Sequence, residues 1–145
     1  MTVIKRSEIV PYTAAQMYEL ITAIEKYPEF LPWCKEANVQ NKTQYKVKAE
    51  FQGYKAGINF YATVLYNLQH PNKMIEIRLL DGRVFRTFEG FWRFETLESK
   101  KTRFSFELKF EFSNAILGWT ITPFIKSGST ELLENFCERA KILYG

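Results

Sequence analysis

The sequence predicts an α+β domain in which a curved antiparallel sheet of six or seven strands wraps around a long C-terminal helix. Three observations predict it. Apolar residues alternate with polar ones from Lys35 to Phe112, the period of half-buried strands. After Ser129 the apolar spacing changes to three and four, which is that of a helix. Thirteen Phe, eight Tyr and three Trp make 17% of the 145 residues aromatic, so the core must be wide or must wrap around something. Strands with aromatics along one whole face present more apolar width than a single helix of about 10 Å diameter covers flat, and the sheet must therefore curl. A pocket between the concave sheet and the helix, with its mouth rimmed by hairpin loops, would suit an apolar ligand. The alternative is that Phe and Trp fill that space. Length, with no linker, repeat or shift of composition, indicates one domain over residues 1–145.

The elements follow in order. Val3 to Val10 is β-branched enough for a strand, ended by Pro11-Tyr12-Thr13. Thr13 can cap the next helix, with Gln16 completing a capping box. Met17, Leu20, Ile21 and Ile24 share one helical face, and the pattern stops before Tyr27-Pro28. The segment Tyr27-Pro28-Glu29-Phe30-Leu31-Pro32-Trp33-Cys34 is apolar but twice interrupted by proline, which allows at most a turn or two of helix and excludes a strand. Tyr45, Val47, Ala49 and Phe51 alternate with Lys46, Lys48, Glu50 and Gln52. After a turn over Gly53 to Gly57, Ile58, Phe60, Ala62, Val64, Tyr66 and Leu68 form a second apolar row. His70-Pro71-Asn72-Lys73 is a turn, and Ile75, Ile77 and Leu79 lead to a hairpin signal at Asp81-Gly82. Phe88, Gly90, Trp92 and Phe94 continue the scheme, followed by Phe104, Phe106, Leu108, Phe110 and Phe112. The connections are too short for crossovers, so the strands are antiparallel. Ser113-Asn114 can cap what comes next. Ile116, Leu117, Thr120, Ile121 and Phe124 have helical spacing, although Pro123 and Gly128 are expected to kink or break this stretch. From Ser129, Leu132, Leu133, Phe136, Ala140 and Leu143 lie on one side, with Glu131, Glu134, Glu138 and Lys141 on the other.

The chemistry is mostly exclusion. A net charge of +4 is compatible with an RNA-rich or anionic partner without demanding one. Lys46, Lys48, Arg93, Lys100, Lys101, Arg103 and Lys109 either gather into a basic face for RNA phosphates or, interleaved with Glu50, Glu95, Glu107 and Glu111, make an ordinary solvated face. Cys34 and Cys137 read as buried, unreactive thiols, and with a single histidine there is no metal cluster to assemble. His70 has no Cys or Ser placed beside it as a nucleophile and reads as a solvent-exposed turn residue. Arg86 shares the phase of Phe88, Trp92 and Phe94. Facing inward it would be a cation in an apolar wall, tolerable only when paired or bonded to a polar ligand head group; facing outward it is a strand-end residue reaching solvent. The N-terminus MTVIKRSEIVPY lacks an apolar stretch of signal length and an Arg/Ser-rich presequence, so a cytoplasmic, unanchored protein is expected.

The order strand, helix, Tyr27-Pro28-Glu29-Phe30-Leu31-Pro32-Trp33-Cys34, strand meander, Asp81-Gly82, Gly90-Phe91-Trp92-Arg93-Phe94, Phe110-Glu111-Phe112-Ser113-Asn114 and a helix ending Arg139-Ala140-Lys141 resembles the coenzyme-Q-binding and ribosome-association-toxin branch of the START-like, polyketide-cyclase-related superfamily. The similarity runs over nearly the whole chain. It implies a helix-grip fold with a cavity for a hydrophobic molecule, in this branch a ubiquinone-like polyprenyl quinone or lipid held without catalysis in support of respiratory quinone function. For the bacterial type it implies a second reading, a toxin-like action on the large ribosomal subunit that hinders subunit association. A third is a polyketide-cyclase-like enzyme, since some START-like relatives position Arg, Tyr or carboxylates in the cavity. The expected partners are thus a hydrophobic small molecule, the large ribosomal subunit and a transiently contacted membrane, not DNA, with no cofactor required beyond the bound quinone or lipid. Pro123 departs from the family pattern, so the helix is expected to begin late or to bend over the cavity. Phe30, Leu31 and Trp33 are assigned to a lid or staple at the mouth, Arg86 to a ligand head group, and Phe60, Val64, Ile77, Phe88, Trp92, Phe106 and Phe110 to the cavity wall.

Overall fold

Seven strands form one antiparallel sheet in the order β1-β7-β6-β5-β4-β3-β2. They are β1 (Thr2–Val10), β2 (Cys34–Lys42), β3 (Lys46–Lys55), β4 (Ile58–His70), β5 (Met74–Gly82), β6 (Phe85–Glu98) and β7 (Lys101–Phe112). Two helices, α1 (Ala14–Thr22) and α2 (Ala115–Tyr144), complete the domain, and a short 3-10 helix spans Ile24–Glu29. This arrangement comes from a computed structural model, which describes residues 1–55, 57–82 and 84–145. The curved antiparallel sheet and the long terminal helix agree with the sequence reading. β2 is the strand the sequence marks least, since after Cys34 its inward apolar residues are just Ala37 and Val39. β3 runs on through Gly53, so the turn expected over Gly53 to Gly57 comes only after Lys55; Ala56, inside it, lies outside the described residues. Asp81 and Gly82 likewise close β5 before the chain reverses.

Local chemistry explains the element ends. The Thr13 side chain accepts the Gln16 backbone N–H at 3.1 Å, and the Gln16 side chain accepts that of Thr13 at 2.9 Å, the reciprocal pair of a capping box. The first proline of the Pro-rich segment sits inside the 3-10 helix and the second follows Leu31, so no strand begins before Cys34. Asn114 caps α2 by accepting the Leu117 N–H at 2.9 Å.

α2 corrects the expectation of a break. It is one helix of 30 residues that contains both Pro123 and Gly128, and it does not begin late. Proline frees the carbonyl four residues back, here that of Trp119; both residues are exposed, and water can take the place of the lost bond. Leu143 is a second correction, being 50% exposed while Tyr144 turns inward to donate to the Gln16 carbonyl at 3.1 Å.

The core lies between the concave face of the sheet and the C-terminal half of α2. Met17, Ile21, Leu31, Ile75, Phe104, Phe110 and Phe136 are each at most 1% exposed. Phe136 meets Tyr27, Phe30 and Trp92 edge to face at ring separations of 5.3 to 5.7 Å, and Trp92 stacks on Phe104. This half of the interior is filled by the protein itself.

Candidate functional site

Exposure along the inward aromatic rows is uneven. Phe51, Tyr66, Trp92, Phe94 and Phe106 are buried, whereas Phe60, Ala62, Ile77, Leu79, Phe85, Phe88 and Phe112 are half-buried although they point the same way. The half-buried set occupies the end of the sheet beside the N-terminal half of α2, whose Leu117, Ile121 and Ile125 face it. Gly118 brings α2 against Phe112, and Ser113 N–H donates to the Val84 carbonyl at 3.0 Å, which joins the helix start to the β5–β6 hairpin. Farther along, Lys55 at the tip of β3 pairs with Glu131 at 3.2 Å. On the other edge, Arg6 of β1 donates to the Thr130 hydroxyl and the Lys126 carbonyl, both at 3.2 Å, so sheet and helix are tied on both edges as well as at the helix start, with an apolar, partly accessible rim between the Val84 and Lys55 ties. Phe85, Phe88, Phe110 and Phe112 form one aromatic cluster there, with ring separations of 5.0 to 6.3 Å.

Phe85 is the residue that sequence phase misses. By strict alternation it belongs with Thr87 on the face opposite Phe88. The register between β6 and β7 passes from Phe85↔Phe112 to Thr87↔Glu111, so Arg86 is the extra residue of a β-bulge. The bulge turns Phe85 inward and Arg86 outward. This corrects the inward placement of Arg86, whose side chain is 69% exposed and ion-paired to Glu111. Arg86 in turn holds the Glu111 carboxyl below the usual carboxylate range, chiefly through their hydrogen bond.

Of the other expected site residues, Phe30, Trp33, Phe60, Ile77 and Phe88 are half-buried. Val64, Trp92, Phe106 and Phe110 are 0 to 8% exposed and belong to the buried core. Leu31, 1% exposed, is a staple of the core and not part of a lid. Trp33 lies against Phe51 and Phe60 at ring separations of 6.2 and 5.8 Å, which joins the Pro-rich segment to the β4 end of the half-buried row. Phe30 packs on Phe136 and is covered by the Arg139 guanidinium, which also bonds Glu29 at 3.1 Å.

Two hollows lie outside the grip. One, of about 970 Å³, is a notch between the start of α1, the β4–β5 turn and the far ends of β6 and β7, with Lys73, Arg93, Arg103 and Glu95 on its walls. The other, of about 420 Å³, sits on the outer face of the sheet, where Lys46, Arg78 and Lys109 alternate with Glu76, Glu89 and Glu107. The acids set among the outer cations are themselves engaged: Arg103 pairs with Glu95 at 3.1 Å and Lys5 with Glu107 at 3.2 Å. The expected basic face is therefore diluted over most of the sheet and densest at the notch.

Reactive groups are few. Burial pushes the Cys34 thiol up to about 11, and burial with nearby Glu8 and Glu134 does the same for Cys137, so both are protonated at neutral pH. Burial likewise raises the Tyr27 and Tyr66 phenols; Tyr27 donates to the Ile21 carbonyl deep in the core. His70 is exposed at the end of β4. Among the described residues no group of three or more His, Cys, Asp or Glu could hold a metal ion.

Comparison with known proteins adds the family. A family model described as polyketide cyclase/dehydrase and lipid transport matches residues 10–137. The ribosome association toxin RatA of Pseudomonas aeruginosa is 31% identical over 144 residues, 99% of each chain. The mitochondrial coenzyme Q-binding protein coq10 of Schizosaccharomyces pombe is 26% identical, over 95% of this chain and 86% of its own. Among solved structures, the Zhui aromatase/cyclase of Streptomyces sp. R1128 superposes with a TM-score of 0.89, covering 97% of this chain and 93% of its own; at 16% identity this shows the fold alone.

Proposed function

Because the chain belongs to the polyketide cyclase/dehydrase and lipid transport family, we propose that it is a non-catalytic binder of one apolar, ubiquinone-like molecule or lipid, held at the open end of its grip. The observation that carries this reading is the half-buried inward row Phe60, Ile77, Leu79, Phe85, Phe88 and Phe112, an apolar wall left partly bare by the helix that should cover it. Aromatic faces suit a quinone ring, and the aliphatic residues of α2 suit its tail. Among the described residues, Arg86, the cation beside Phe85 in β6, points away from the wall and is paired, and the inner rows of the rim carry no nucleophile or carboxylate. A cyclase would need polar groups inside to position and protonate its substrate, and this favours binding over turnover. The similarity to a coenzyme Q-binding protein supports the same ligand class.

A short-chain ubiquinone analogue added to the protein should quench tryptophan emission, Trp33 lying against Phe60. Phe88→Arg, at a half-buried site, should weaken that binding about tenfold or more while a cooperative thermal transition is kept, the cost of a charge on an apolar wall. If no quinone or lipid extracts from protein purified from its native host and the analogue leaves the emission unchanged, the reading fails.

A different observation favours a second reading. Lys73, Arg93 and Arg103 surround the notch beside the first turn of α1, with one acid, Glu95, among them. Such a site suits RNA phosphates, and relatives that match along nearly the whole chain carry the name ribosome association toxin. Overproduced protein should then lower the 70S fraction in sedimentation of ribosomes, and Arg93→Glu should restore it; an unchanged 70S fraction with the native protein refutes this reading.

A further inference from the structure

The N-terminal half of α2 is apolar on two faces. Leu117, Ile121 and Ile125 face the sheet, while Ile116, Trp119 and Phe124 point outward and are 74, 81 and 45% exposed. With Pro123, these outward residues recur at three, seven and eight positions from Ile116 and form one stripe. An isolated exposed apolar side chain is ordinary, but an exposed tryptophan flanked by two more large apolar residues on one helical face marks a contact surface. From Ser113 to Thr130 the chain holds a single ionisable residue, Lys126, and no acid. Beyond that, Glu131, Glu134 and Glu138 take outward positions on the same helix. The charge pattern thus admits a negatively charged surface along the stripe and repels it farther on.

We propose that this stripe docks the protein on a lipid bilayer. Ile116, Trp119 and Phe124 enter the boundary between head groups and acyl chains, and Lys126 faces anionic head groups. The choice of a bilayer rests on the apolar-ligand reading above, since a polyprenyl guest resides in membranes and the stripe lies on the outer side of the same helix turns that border the rim, where Gly118 packs on Phe112 and Ser113 bonds Val84. Among the described residues no helix is long and apolar enough to cross a membrane, so the contact is one of lying on the surface.

Quinone-free vesicles of phosphatidylcholine, alone or with added phosphatidylglycerol, test the proposal by cosedimentation of the full chain. The native protein should partition onto the vesicles, more so with the anionic lipid, and its emission should shift to the blue and be quenched by brominated lipid. Ile116→Ser with Trp119→Ser, both at exposed positions, should keep the thermal midpoint and lower the partition coefficient about tenfold or more. Lack of partition by the native protein overturns the proposal, as does equal partition by the variant. Lipid-free self-association in analytical ultracentrifugation that the double variant abolishes overturns it too, by giving the stripe to a second copy. Uptake of the quinone analogue in vesicle-free solution is a separate readout: the variant should retain it, and loss of uptake by the native protein with vesicle binding intact would refute the carrier reading and leave the docking surface standing.

Discussion

Replacing Gly90 by alanine will lower the thermal midpoint by about 10 °C, equivalent to about 3 kcal/mol of overpacking. Gly90 lies mid-strand in β6, between Ile77 of β5 and Leu108 of β7. A Cβ there would stand 2.1 Å from the Glu107 carbonyl oxygen and 3.0 Å from a Leu108 methyl. The first of these is backbone, so no rotamer change relieves the clash; β6 and β7 must separate where the sheet bends around α2. Gly118→Ala serves as the opposite control. Its Cβ would meet nothing closer than Phe112 at 3.4 Å, and within a helix the change should add roughly 0.5 to 1 kcal/mol of stability. A Gly90→Ala midpoint within a degree or two of the native one would show that the strands have freedom the close approach denies them.

Phe136→Ala should cost about 3 to 5 kcal/mol, read as a fall of roughly 2 M in the urea midpoint with the slope unchanged. Phe136 is 1% exposed and meets three aromatic rings edge to face. Its removal forfeits those pairs and leaves a cavity that Tyr27, tied to the Ile21 carbonyl, and Trp92, held on Phe104, cannot collapse to fill. For a domain whose whole stability is of order 10 kcal/mol this is a large fraction. Leu143→Ala on the same helix should stay within about 0.5 kcal/mol, because that side chain is in solvent. A loss below about 1 kcal/mol at Phe136 would mean that the closed half of the grip is loosely packed, and the contrast between a filled and an open end would disappear.

That contrast was invisible to periodicity. Val64 and Phe60 stand on one row of β4, and Trp92 and Phe88 on one row of β6, yet the first of each pair is buried and the second half-bared. Alternation reports which face a side chain takes. How deeply it is covered depends on where α2 lies over the sheet, and that is set by the Lys55–Glu131 pair, the Tyr144 anchor on α1 and the bond from Ser113 N–H to the Val84 carbonyl, which join residues far apart in the chain.

What the sequence by itself determined is what local chemistry enforces: the capping box of Thr13 and Gln16, the proline-broken link before Cys34, the inward phase of Phe104, Phe106, Leu108 and Phe110, and with them the class of fold. The tertiary structure decided the rest. Arg86 turns outward because β7 offers two residues where β6 needs three, α2 runs on through Pro123 because the carbonyl that proline orphans is open to water, and Ile116 and Trp119 are bare because no other element reaches their side of the helix. Each of these outcomes depends on a neighbour distant in sequence or on contact with solvent, and no window of adjacent residues contains either.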